Sequence, residues 1–183
     1  MKTNKLASAL ILSMGMIAAG ANAADQGHGQ VTFKGSIIDA PCSITPESAD
    51  QSVPMGQIAS HVLQGGKQSL PKAFSIDLEN CEFSSGEEYA RAAAGNSVTV
   101  TFSGTSSVGD PTMLGLNGEA AGAGIVIADE SGKVMPLGNK SSLYRLTGTN
   151  PSLGFTAYLK GLEKATIVPG DFESIAQFSL DYQ

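Results

Sequence analysis

The chain has 183 residues, 17 acidic against 11 basic, a net charge of −6 with histidine neutral, and 42% hydrophobic residues. The acidic balance argues against nucleic acid, which wants basic patches, and against anionic membrane surfaces. Two histidines and two cysteines leave little material for a metal centre or for catalysis.

Residues 1–23 read as a signal peptide. Lys2 and Lys5 form a positive start, residues 6–20 are an apolar run, and Ala21-Asn22-Ala23 offers the small residues that cleavage requires. The run is short for a membrane span, and an N-terminal anchor helix is the alternative. Cleavage after Ala23 removes 23 of the 183 residues and leaves 160, enough for one domain with a sizeable core. The removed segment holds two lysines and no acid, so the net charge moves from −6 to −8.

Residues 24–37 form an arm ahead of the domain at 38–183. In an extended strand Val31, Phe33, Gly35 and Ile37 share one face, and Thr32, Lys34 and Ser36 share the other. A strand with an apolar face needs a groove to lie in. An ordinary first strand of the same domain is the alternative reading.

Strand-like runs follow at 36–44, 52–58, 74–78, 97–102, 124–128 and 153–159, with glycine mostly between them; 74–78 and 153–159 alternate, and 97–102 is rich in β-branched and aromatic residues. Asp129-Glu-Ser-Gly132 reads as a hairpin turn leading to Val134. Pro169-Gly170 turns the chain into a last strand at 172–182, where Ala176, Phe178, Leu180 and Tyr182 share a face. The spacing predicts an all-β sandwich. Helix signals are poor: residues 87–94 read as a short helix or a polar loop, and residues 61–70 hold room for a helical turn. Cys42 and Cys81 are the only cysteines. In an exported chain they are expected to pair, closing a loop of about forty residues worth roughly 4 kcal/mol in the chain-entropy picture.

Catalytic chemistry finds no constellation. His28 lies in the arm and His61 has no motif partner. Gly104-Thr-Ser-Ser-Val-Gly109 misses the spacing of a nucleophile elbow. Gly27-His-Gly29 and Gly122-Ala-Gly124 are lone glycine pairs, better read as arm and strand entry than as phosphate cradles. Glu87 and Glu88 read as a solvated surface pair. No enzyme activity, no cofactor and no metal site is expected.

Taken in order, Phe33-Lys-Gly35, Asp39-Ala-Pro-Cys-Ser-Ile44, Val53-Pro-Met-Gly56, Phe74-Ser-Ile-Asp-Leu-Glu-Asn-Cys81, Gly124-Ile-Val-Ile and the closing stretch Gly170 to Tyr182 resemble the chaperone–usher pilins. The match is nearest to the shaft subunits of P and type 1 pili and runs through essentially all of residues 24–183. The resemblance implies an incomplete immunoglobulin-like sandwich that lacks its last strand, completed by a donor strand from another subunit. It implies that Val31, Phe33 and Ile37 fill pockets of a neighbour's groove and that Gly35 lies where the groove floor leaves no room. It implies that the strand of Ala176, Phe178, Leu180 and Tyr182 walls the groove and meets a periplasmic chaperone. The implied partners are identical or related pilin subunits, that chaperone and an outer-membrane usher, with no nucleic acid. The implied address is the cell-surface fimbria, reached through the periplasm. Within the family, a minor adaptor or terminator is the alternative to a shaft subunit. A sugar-binding tip adhesin fits less well, since it carries an additional lectin domain.

Overall fold

Alternating runs become strands where a partner is within reach. In this computed structural model, residues 29–83 and 96–183 are described, and contacts divide the chain into two units, Met1–Ile37 and Ile38–Gln183. The expected signal peptide, His28, and the stretch 87–94 with Glu87 and Glu88 lie outside the described residues. In the first unit, residues 29–37 carry neither strand nor helix and are exposed throughout.

The second unit is built on two sheets. One has the order β1 (Ser43–Ile44), β2 (Lys72–Glu79), β7 (Ser152–Gly161), β5 (Ala123–Asp129), all antiparallel. The other places β3 (Ser97–Gly104) between β6 (Tyr144–Arg145) and β9 (Ala176–Tyr182). A small third pair joins β4 (Asn117–Gly118) to β8 (Phe172–Glu173). Period two decides what each strand buries. Phe74 and Ile76 of β2 stand opposite Phe155 and Leu153 of β7, and Ile125 and Ile127 of β5 stand opposite Leu159 and Ala157. Those side chains meet Val98, Val100 and Phe102 of β3 in one core. Phe155 is its centre, with ring centroids 5.2 Å from Phe102, 5.5 Å from Phe74 and 5.8 Å from Tyr144. The geometry with Phe102 and Tyr144 is edge-to-face, the arrangement that opposes ring edge to ring face.

Cys42 and Cys81 are joined, with Cα atoms 4.1 Å apart, inside the expected reach for a bridge. The bond fastens the entry to β1 beside the exit from β2. The chain leaves β2 through Asn80, a left-handed residue (φ 54°), a conformation that asparagine tolerates better than most side chains. The expected hairpin after β5 also forms: the Gly132 amide donates to the Asp129 carbonyl at 2.9 Å, and Ala128 bridges Val134. Gly132 has φ 83°, so the turn needs a residue without a Cβ there.

Three expected runs differ from the structure. The run at 36–44 makes a ladder only at Ser43–Ile44, since Pro41 has no amide to donate and the preceding residues have no strand beside them. Residues 52–58 form no strand at all; among the described residues their backbone makes no hydrogen bond. The last run is split into β8 and β9 at Ser174-Ile175. The helical turn expected within 61–70 appears as α2 (Ser60–Leu63), followed by a 3-10 turn at Gln64–Gly66. A second short helix, α1 (Pro46–Ala49), carries its own start signals: Thr45 caps it by accepting from the Ser48 amide at 3.3 Å, Pro46 opens its first turn and Glu47 follows.

Candidate functional site

The site begins with β9. Ala176 to Tyr182 pair with β3 along their length, from Gly104↔Ala176 to Val98↔Tyr182, and with no other strand among the described residues. The end of β9 is fastened: the Gln183 amide donates to the Ser97 carbonyl at 2.9 Å and the Ser97 hydroxyl donates to the Gln183 carbonyl at 3.1 Å. Its other edge is open among the described residues. An open edge presents a row of unpaired amides and carbonyls, which is a template for another strand.

Beside that edge runs a groove of about 1810 Å³. Its floor is core: Phe74, Phe102, Ile125, Ile127 and Leu159 line it. One side is the unladdered stretch at 52–58, which turns Val53, Met55 and Ile58 into the groove as half-buried side chains. The far side is the stretch 167–175 together with the start of β9. Soluble proteins rarely leave apolar floor of this extent uncovered, and such a surface marks an interaction site.

The four β9 residues expected at the site share a face, but not a depth. Ala176 and Phe178 line the groove, and the Phe178 ring lies 6.4 Å from Phe102. Leu180 and Tyr182 are half-buried against the core and lie beyond the groove lining. Burial raises the pKa of the Tyr182 hydroxyl above the ordinary phenol value, so it stays neutral at physiological pH. In the arm unit, Val31, Phe33 and Ile37 are 75%, 90% and 104% exposed. Among the described residues a Cβ added at Gly35 meets nothing within 4 Å, and the residue is not in the left-handed region, so nothing described there demands a glycine. His61 sits exposed on α2.

The stretch 167–175, expected only as a turn at Pro169-Gly170 and the start of the last strand, supplies a whole side of the groove. It carries no alternating apolar run, and what places it is pairing with distant residues: Ala121 and Val168 exchange hydrogen bonds at 2.9 and 3.1 Å, and the Ser174 hydroxyl donates to the Gly115 carbonyl at 2.8 Å.

Known proteins match this arrangement. The "Fimbria A protein" of Serratia marcescens is 48% identical over 184 residues, covering 100% of both chains. The "Major MR/P fimbria protein" of Proteus mirabilis is 44% identical, again over 100% of both. Among solved structures, the P pilus rod subunit PapA is 31% identical with a TM-score of 0.67, covering 79% of this chain and 100% of that one. A chain from a chaperone–usher pilus structure is 34% identical with a TM-score of 0.74, covering 86% and 97%. The fold is therefore an immunoglobulin-like sandwich lacking its last strand. The family model described as "Fimbrial protein" matches residues 31–183, and the chain belongs to that family.

Proposed function

We propose that this chain is a structural subunit of the shaft of a bacterial surface fimbria, which supports cell adhesion, and that it polymerises by donating residues 24–37 to the groove of a neighbouring copy. The observation that carries this reading is the open edge of β9 above an apolar groove, in a chain that also holds an apolar-faced arm. Strand addition to a sheet edge takes affinity from main-chain hydrogen bonds and specificity from alternate side chains. Extended, residues 29–38 span about 33 Å, which exceeds the roughly 23 Å of a seven-residue strand such as β9. The arm is thus long enough to run beside the whole edge.

In this reading Val31, Phe33 and Ile37 enter the groove and Gly35 lies over its shallowest floor. Arm and groove are different surfaces, so the contact is head-to-tail and repeats into an open filament. Before assembly, the same edge needs a temporary partner. A periplasmic chaperone strand on β9, along Ala176, Phe178, Leu180 and Tyr182, supplies it, and an outer-membrane usher exchanges it for the arm. Export through the signal peptide at 1–23 brings the chain to that compartment. The relatives named as major fimbrial proteins support a shaft role over a minor adaptor or terminator.

The test is deletion of residues 24–37. The truncated subunit is expected to fold and to accept a labelled peptide of residues 24–38, yet to add to no polymer. Polymers of normal length from the truncated subunit would refute the donor role. Subunit stoichiometry in purified fimbriae checks the shaft role, in which this chain outnumbers every other subunit.

A further inference from the structure

The groove side at 167–175 packs Ile167 and Phe172 against the core but makes no ladder with either of the two large sheets. It rests on residues 115–122, through β4 and β8, through the Ala121–Val168 pair, and through the Asp171 carbonyl, which accepts from the Glu119 and Ala120 amides at 3.0 and 3.2 Å. Three glycines make that approach possible. A Cβ at Gly118 would lie 2.3 Å from the Asp171 carbonyl oxygen, one at Gly122 would lie 2.3 Å from the Thr166 carbonyl oxygen, and one at Gly170 would lie 2.8 Å from the Ala120 amide nitrogen. These obstacles are backbone atoms, joined at Gly170 by the Glu119 Cβ at 2.7 Å, and none of them has a rotamer with which to yield. Gly118 and Gly122 also have positive φ, 131° and 85°, whereas Gly170 is not in the left-handed region.

From this juxtaposition we infer that Gly118, Gly122 and Gly170 are positioning residues for strand uptake: they set the separation between 117–122 and 166–172, and so place Ile167 and Phe172 at the groove. The inference rests on the acceptor-groove reading above and adds that the backbone position of one wall is set by its fit to 115–122, outside the ladders of the two large sheets. The sandwich core, from Phe74 to Leu159, makes none of the hydrogen bonds that hold the wall. A side chain at any of the three glycines pushes the wall away from its seat, widening or closing the path of an incoming strand while the core stays packed.

The experiment measures uptake of a fluorescein-labelled peptide of residues 24–38 by the purified full chain, alongside its unfolding midpoint. Gly132→Ala is the matched control. Its φ of 83° equals that of Gly122 within a few degrees, so both variants carry the same backbone strain, but a Cβ there meets nothing within 4 Å. Gly122→Ala and Gly170→Ala are expected to slow uptake by about tenfold, and Gly132→Ala to leave the rate unchanged. Ser174→Ala removes only the hydroxyl bond to Gly115 and spares the backbone fit, so it folds even where the glycine variants do not. It is expected to slow uptake by about threefold with the unfolding midpoint unmoved. Wild-type uptake rates in Gly170→Ala and Ser174→Ala would overturn the inference, as would a glycine variant that loses stability but takes up peptide normally per folded molecule. A wild-type chain that takes up no peptide would instead overturn the acceptor-groove reading itself.

Discussion

β7 and β9 begin from the same kind of sequence and end in different physical states. Both alternate apolar and polar residues, both pair antiparallel, and both turn one face toward the same core. β7 has two partners, β2 and β5, and its inner residues Leu153, Phe155, Ala157 and Leu159 are all buried. β9 has one partner, and its inner residues stop at half-burial: Phe178, Leu180 and Tyr182 reach the core but are not covered, and Ala176 is exposed. A strand's side chains are sealed by the neighbours on both sides as well as by the opposite sheet. Removing one neighbour leaves the face wet and the edge unpaired. The difference between the two strands therefore measures what is missing from the domain, and the proposed function is the supply of that missing neighbour.

Truncation on the two strands gives the largest expected effect. Phe155→Ala removes a fully buried ring that contacts three others and is expected to cost about 3–5 kcal/mol in denaturant unfolding. Phe178→Ala removes a half-buried ring and is expected to cost roughly half as much in the unoccupied domain, since less apolar area returns to water. Equal costs would erase the distinction between the strands.

Occupying the groove should bring β9 toward the state of β7. A peptide of residues 24–38 at a hundred times its dissociation constant is expected to stabilise the domain by about 2.7 kcal/mol, measured as an upward shift in the denaturation midpoint. The β9 amides should move from fast to slow hydrogen exchange as they gain shelter, while the β7 amides, already paired on both sides, change little. Slow exchange at both strands before the peptide is added would contradict an open edge.

A peptide carrying Gly35→Leu is expected to lose roughly 1–3 kcal/mol of that binding, because extra volume over a shallow floor forces strands apart. The same substitution in the chain itself should leave the monomer's stability unchanged, since a Cβ at that position meets nothing within 4 Å. A destabilised monomer would mark Gly35 as part of its own domain and favour the ordinary first-strand reading.

The smallest effect lies on the outward face of β9. Lys140 pairs with Asp181, and both side chains are at least half exposed. Lys140→Ala is expected to change stability by about 0.2–1 kcal/mol, less at high salt, and to leave peptide uptake alone. A larger loss of uptake would place this pair, and not the inward face, in control of the edge.

Much of this was legible from residues alone. Period-two alternation located β2, β7 and β9 because burying one face of a pleated strand forces that pattern whatever the partner, while β3 was marked by its β-branched and aromatic content and β5 by the turn that follows it. The cysteine pairing followed from export and from there being two. The alternating arm and the alternating last strand pointed to a strand given and an edge in need, since local sequence encodes which face is apolar. Tertiary structure alone decided the rest. Whether an alternating run gains a ladder depends on whether a second backbone lies about 5 Å away, which is why residues 52–58 remain unpaired despite Val53, Met55 and Ile58. Alternation likewise could not say that Leu180 and Tyr182 pack on the core while Ala176 and Phe178 line the groove, because depth along a strand is set by the elements packed across it. That the turn and strand start at 167–175 form a groove wall was invisible for the same reason: the wall's position is written in the backbone fit of Gly118, Gly122 and Gly170 against residues dozens of positions away, and a missing side chain leaves no periodicity to read.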